Sequence, residues 1–186
     1  ERAEAVADPL NLFDMAPYAD GAAAVLLARA DRLPKDDPRP RVRLSGCSVS
    51  VDTLALHDRS DPLAFSAAAY SLKSACGQAD IVPHEADFFE LCDSFSIYAA
   101  LSLEAAGFAV RGEGWKLAAD GALSLTGSLP ILTMGGMKAR GNPLGAAALY
   151  QVAEAVQQLR GDAGANQIPG ARRGLVQSLG GPASTA

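Results

Sequence analysis

A layered α/β fold, with helices packed on a sheet, is predicted by three features of this sequence. Strand-like and helix-like segments alternate along the chain, the order expected when each helix covers the strand beside it. Its 186 residues suffice for one domain with a real core and are few for two. Apolar residues make up 49% of the chain and charged ones 20%, a balance that supports a core and excludes a disordered polymer.

The elements follow in order. "PLNLFDMAPYAD" is mixed and turn-rich, and "GAAAVLLARADRL" (residues 21–33) is small and apolar, a predicted buried strand with a charged end. "PKDDPRPR", from Pro34 to Arg41, sets three prolines among alternating charges and reads as a linker. "VRLSGCSVSVD" places Val42, Leu44, Gly46 and Ser48 on one face at period two, a strand signal. "SDPLAFSAAAYSLKSAC" reads as a helix, with Asp61 as its cap and Pro62 at its first position. "DFFEL", Asp87 to Leu91, is a short apolar strand. "DSFSIYAALSLEAAG" is a second helix, capped by Asp93 or Ser94 and stopped at Gly107.

The glycine-rich stretch from Val110 to Thr133 has little periodicity and is expected to be loop with short extended pieces. Pro143 to Arg160 is the clearest helix. Its expected inner stripe is Leu144, Ala148, Val152, Ala155 and Leu159, with Glu154, Gln157, Gln158 and Arg160 outward. "RRGLVQSLGGPASTA" is a last strand running into a glycine pair.

Composition removes several function classes. A net charge of -5 argues against broad binding to nucleic acid. No run approaches the roughly 18 apolar residues of a membrane span. Three cysteines (Cys47, Cys76 and Cys92) and two histidines suit neither a disulfide framework nor an ordinary zinc site, and a cytoplasmic setting is expected. The chain opens on Glu1, so a longer translation product is expected.

Four segments, in this order, resemble the C-terminal half of the thiolase family. "DMAPYADGAAAVLLARADRL" is similar to the end of the family's first half. "FFELCDSFSIYAALSLEAAG" is similar to its strand-to-helix step, which reads His-Asp-Cys-Phe in sterol-carrier-type members. "GGMKARGNPLGAAALYQVAEAVQQLRG" is similar to its Gly-Gly…Gly-His-Pro-x-Gly-Ala loop and helix, and "GLVQSLGGPASTA" to its terminal strand. The sterol-carrier and archaeal-type branch is the closest in flavour.

The resemblance implies a mixed five-stranded sheet flanked by helices. It assigns residues 1–38 to the tail of the family's N-terminal domain and a linker, and 39–186 to the C-terminal domain. It implies a substrate that is a coenzyme A thioester, no tightly bound cofactor, and a nucleophilic cysteine in the other half, on the same or a separate chain. It also implies a dimer and a small partner with a zinc ribbon and an OB fold.

The same resemblance points to particular residues. Asn142 stands where the family has the histidine of Gly-His-Pro. An amide can donate to a thioester oxyanion but cannot serve as a base, and Asn before Pro143 also suits a helix cap. Cys92 stands at the family's His or Asn position, as a site residue or a small buried thiol, and Asp93 matches the acidic member of that motif. Gly180 aligns with a glycine whose N–H completes an oxyanion hole. Gln177 and Ser178 occupy positions where the family keeps an acid–base residue. Lys138 and Arg140 are candidates to face coenzyme A, or ordinary surface cations.

The loss of proton carriers at 92, 142 and 177–178 makes ordinary thiolysis doubtful. Open readings are an acyl-CoA enzyme part, a thioester retro-aldolase, and a non-catalytic partner chain. An enzyme requires the Cys92, Asn142 and Gly180 loops to converge on one cleft; a scaffold fills that space with side chains.

Overall fold

The computed structural model describes residues 3–186. In chain order the elements are strands β1 (Ala5–Ala7) and β2 (Leu10–Asn11), helix α1 (Ser66–Ala79), strand β3 (Phe88–Glu90), helices α2 (Ser96–Ala105), α3 (Gly114–Ala119), α4 (Gly136–Arg140) and α5 (Ala147–Arg160), and strand β4 (Gly174–Val176). No helix among the described residues is long and apolar enough to cross a membrane.

The core is three layers deep at β3. This strand runs parallel to β4, with Phe88 opposite Gly174 and Glu90 opposite Val176, and a single parallel bridge joins Phe89 to Ile131 on its other edge. Side chains alternate faces along a strand. Phe89 and Leu91 therefore point to one side, into the cluster of Leu72, Leu103 and Leu175 beneath α1 and α2. Phe88 points to the other, where it packs on Ala155 of α5 and Ile168. Helices on both faces of parallel strands are the layered α/β architecture predicted above. The ladders are short, however: the described strands form two two-stranded sheets, and isolated bridges stand where a five-stranded sheet would continue.

Several expectations are corrected. Residues 21–29 form no strand, and Leu26 is 96% exposed, because no described segment runs alongside to accept their hydrogen bonds. Residues 42–52 keep their period-two burial except at Leu44, but they pair only at their end, where Ser50 and Asp52 bond to Ala186 and Ser184. Asp61 does not cap α1. Its carboxylate accepts the Leu63 N–H at 3.1 Å and its carbonyl the Ala64 N–H, which closes a separate turn and delays the helix to Ser66.

Neither Asp93 nor Ser94 caps α2, which starts after Phe95 with no side-chain cap, while Gly107 at φ +82° ends it as expected. Helix α3 lies inside the stretch expected to be loop. Its signal was the helix-forming run Trp-Lys-Leu-Ala-Ala, and its first N–H is met from outside, by Glu104 Oε1 at 2.9 Å.

The inner face of α5 is also rotated. Ala147, Gln151, Glu154, Ala155 and Gln158 are buried, and Leu144 is exposed. Hydrophobic spacing misplaced this face because three of its buried residues are polar and bonded: Gln151 to the Leu91 carbonyl, Glu154 to Arg140, Gln158 to the Asn166 carbonyl.

Arg59 fastens the C-terminal segment. It is nearly buried, and donates to the carbonyls of Thr53 at 2.6 Å and Pro182 at 2.9 Å. Replacement by Ala is expected to cost about 2 kcal/mol, since two part-buried bonds from a charged donor are lost. Urea denaturation of the intact protein measures it, and a loss under about 0.5 kcal/mol would show that water replaces the guanidinium.

Candidate functional site

Three loops leave the same end of the parallel strands. Cys92 and Asp93 follow β3, the segment from Thr133 to Asn142 follows the bridge at Ile131, and Gln177 to Gly180 follow β4. The carboxyl end of parallel strands is where α/β sheets present ligand contacts, because loops from neighbouring strands must meet there. The larger open groove, about 580 Å³ beside His84, Asp87 and Ser128, lies at the opposite strand end and receives none of these loops.

Asn142 is held at both sides of its peptide. Its N–H donates to the Pro17 carbonyl at 2.7 Å and its carbonyl accepts the Ala19 N–H at 3.2 Å. Its side-chain Oδ1 accepts the Leu144 N–H at 2.9 Å, which closes a tight turn two residues on; the expected helix cap is not formed, since neither the turn Leu144–Ala146 nor α5 carries a side-chain cap and Leu144 has φ +51°. That bond uses the oxygen alone. The amide Nδ2 makes no hydrogen bond among the described residues, and Asn142 lines an open groove of about 430 Å³ with Tyr18, Asp20, Gly21 and Leu144. Holding the turn through Oδ1 and donating through Nδ2 are therefore compatible roles.

Cys92 is 7% exposed, packs with Met137 and Ala147, and lies 3.5 Å from the Ser94 hydroxyl. Tyr98 and Leu179 close the same cluster, so the three loops do meet, through Cys92, Met137 and Leu179, but apolar side chains occupy the meeting point, and neither Cys92 nor Gly180 lines the groove at Asn142. The Gly180 N–H donates to the Thr185 carbonyl at 2.9 Å. Gln177 turns to α1, donating to the Ala68 carbonyl at 3.1 Å.

Both candidate cations are engaged within the chain. Lys138 Nζ donates to the carbonyls of Phe13 and, at 2.7 Å, Met15. Arg140 pairs with Glu154 at 2.8 Å and lies over the Tyr150 ring, 5.2 Å from its centroid.

Asp93 caps a different helix from the expected one. Its two oxygens accept the N–H groups of Met137 at 2.9 Å and Lys138 at 3.1 Å, at the start of α4. Only glycine fits between them: Gly136 has φ +62°, and a Cβ there would stand 2.4 Å from Asp93 Oδ2. One turn earlier, Glu90 Oε1 accepts from both the N–H and the hydroxyl of Thr133, at 2.9 and 2.7 Å.

Sequence reasoning missed Glu90, Gln151 and Glu154. The signal lay in strand alternation, which puts Glu90 on the same face as buried Phe88, toward α5. Burial pushes the carboxyls of Glu90 and Glu154 above the usual range, Glu154 to about 7, against the pull of Arg140.

Comparison with known proteins agrees with this geometry. The family model for thiolase C-terminal domain-like proteins matches residues 48–186. An acetyl-CoA acetyltransferase of Methanothermobacter thermautotrophicus is 41% identical over 97% of this chain and 47% of its own length. Human sterol carrier protein 2 is 31% identical over 94% of this chain and 33% of its own. The solved structure of the Ltp2-ChsH2(DUF35) aldolase superposes with a TM-score of 0.80 at 23% identity, over 98% of this chain and 48% of the other, which shows a shared fold. The chain thus spans about half or less of the length of the proteins it matches.

Proposed function

Because this chain belongs to the thiolase family through its C-terminal domain, we propose that it is the second half of a thiolase-like enzyme acting at the carbonyl end of a coenzyme A thioester. The observation that carries this reading is Asn142, whose oxygen is fixed by the Leu144 N–H, whose Nδ2 has no partner among the described residues, and which lines an open groove. A fixed amide donor stabilises charge developing on a thioester or enolate oxygen. It holds no titratable proton, so the nucleophile and the base come from outside this loop.

Coenzyme A enters as substrate, with no resident cofactor, and its anionic end is met by residues outside Lys138 and Arg140, which are spent internally. Residues 1–38 are the tail of the preceding half. Exposed Leu26 and Leu27 support this, as a bare apolar segment that a neighbouring strand would cover. That half, in the same or another chain, a second copy in a dimer and a small zinc-ribbon and OB-fold protein are the proposed partners, in the cytoplasm.

Two further readings have observations of their own. Retro-aldol cleavage needs an enolate-stabilising donor more than a proton carrier at 142, 177 or 178, and an aldolase shares the fold. A non-catalytic half is favoured by the apolar packing around Cys92 and the occupied Gly180 N–H.

Asn142→Asp separates the roles. A carboxylate still accepts from the Leu144 N–H, so stability stays within about 0.5 kcal/mol, but it cannot donate. The intact protein, assayed with acetoacetyl-CoA plus free coenzyme A and with a β-hydroxyacyl-CoA, is expected to lose about a hundredfold in kcat in this variant. Unchanged turnover would leave Asn142 a turn-holding residue alone. No turnover of any thioester by the wild type would favour the non-catalytic half.

A further inference from the structure

Behind the Asn142 loop lies a group of buried charges that the proposed chemistry does not use. Glu90, Asp93 and Glu154 are three acids, at most 8% exposed, and Arg140 is the cation that pairs with one of them. Among the described residues, Glu90 Oε2, Glu154 Oε2 and Gln151 Oε1 are buried acceptors with no donor, and Arg140 Nε and Nη2 are buried donors with no acceptor. The charged and titratable groups here are Arg140 from the end of α4, Glu90 from β3, Asp93 from the loop after it, and from α5 both Glu154 and Tyr150, whose ring lies against Arg140. Arg140, Glu90 and Asp93 all bear electrostatically on Glu154.

Three carboxylates cannot all be charged beside one guanidinium in a site so largely shielded from water without a large desolvation cost. Asp93 is committed as an anion-type acceptor of two N–H groups, and Glu90 Oε1 is committed to Thr133. Glu154 has one contact, to Arg140, and that contact ties α5 to the residue two places before Asn142.

We propose that Arg140 and Glu154 are positioning residues that clasp the Asn142 loop to α5, and that the clasp is closed by a proton on the buried acid group and loosened by its loss. The consequence for catalysis rests on the reading of Asn142 as a donor; the loop's response to the proton does not. The direction follows from burial. With the loop closed, Glu154 is shielded and titrates at about 7, against 4.5 in water. Opening hydrates it and returns it toward the lower value. The closed loop therefore binds the proton more tightly, and its advantage is lost as pH rises from 4.5 through 7.

Amide hydrogen exchange in the intact protein, corrected for intrinsic rates, tests this. Protection of residues 136–146 is expected to fall about tenfold between pH 6 and pH 8, while β3 is unaffected. Glu154→Gln, which keeps the size and an acceptor for Arg140, is expected to abolish that slope, and Glu154→Asp to retain it. If the intact protein turns over a thioester, a decline in kcat on the same pH interval is expected to disappear in Glu154→Gln. A slope that persists in Glu154→Gln, or protection that rises with pH, would overturn the clasp. A slope present without thioester turnover would support the clasp while removing the proposed function.

Discussion

Asp93→Ala is expected to lower the stability of the intact protein by about 4 kcal/mol, as two charge-assisted bonds, one buried and one part-buried, are each worth about 1.5–3 kcal/mol. Asp93 is 3% exposed and holds the start of α4 through the N–H groups of Met137 and Lys138. Its removal leaves both donors buried or forces water in, and releases the loop that carries Asn142. Asp93→Asn distinguishes charge from shape. An amide keeps one acceptor for Met137 but turns an NH₂ toward the Lys138 N–H, so more than half of the loss is expected to remain. Urea denaturation of the three proteins decides it. Full recovery in Asp93→Asn would make Asp93 a space-filler, and the account of α4 given above would be wrong.

The second large effect lies under α5. Phe88 is fully buried, and Gly174 on the adjacent strand has no room for a side chain: a Cβ there would lie 2.4 Å from the Phe88 ring. Phe88→Ala is expected to cost about 4 kcal/mol, as burial is lost and a cavity is left against Ala155 and Ile168. Gly174→Ala is expected to cost about 2 kcal/mol by overpacking. In the double variant the new methyl enters the space left by the ring, so the sum is expected to overshoot the measured loss by at least about 1 kcal/mol. Strict additivity would show that the strand shifts aside and that the close approach is not a constraint.

The strand "DFFEL", the glycine stop at Gly107 and the last strand were legible because local pattern alone selects them: a run of apolar residues seeks a core, and a glycine takes a positive φ at no steric cost. Helix α5 was legible in extent and misread in rotation, since spacing counts apolar residues and its buried face carries Gln151, Glu154 and Gln158. Asp93 was legible as a cap and misread in its target. A carboxylate three residues after a strand end has two helices within reach, and chain order says nothing about which comes to it. The segment at residues 21–29 reads as a strand because its composition is that of one, but a strand also needs a neighbour.

By itself, then, the amino-acid order determined where the chain turns, which segments seek burial, and the family signature carried by its loops; these are local properties, set by side-chain volume and backbone freedom. Tertiary structure alone decided which loops meet at one strand end, that Asp93 holds α4, that Lys138 and Arg140 are spent inside, and that Glu154 shares a shielded site with two other acids. Those facts depend on distances between residues well separated in the chain, 14 positions for Arg140 and Glu154 and 44 for Asp93 and Met137, and on the restriction of water, neither of which a linear pattern encodes.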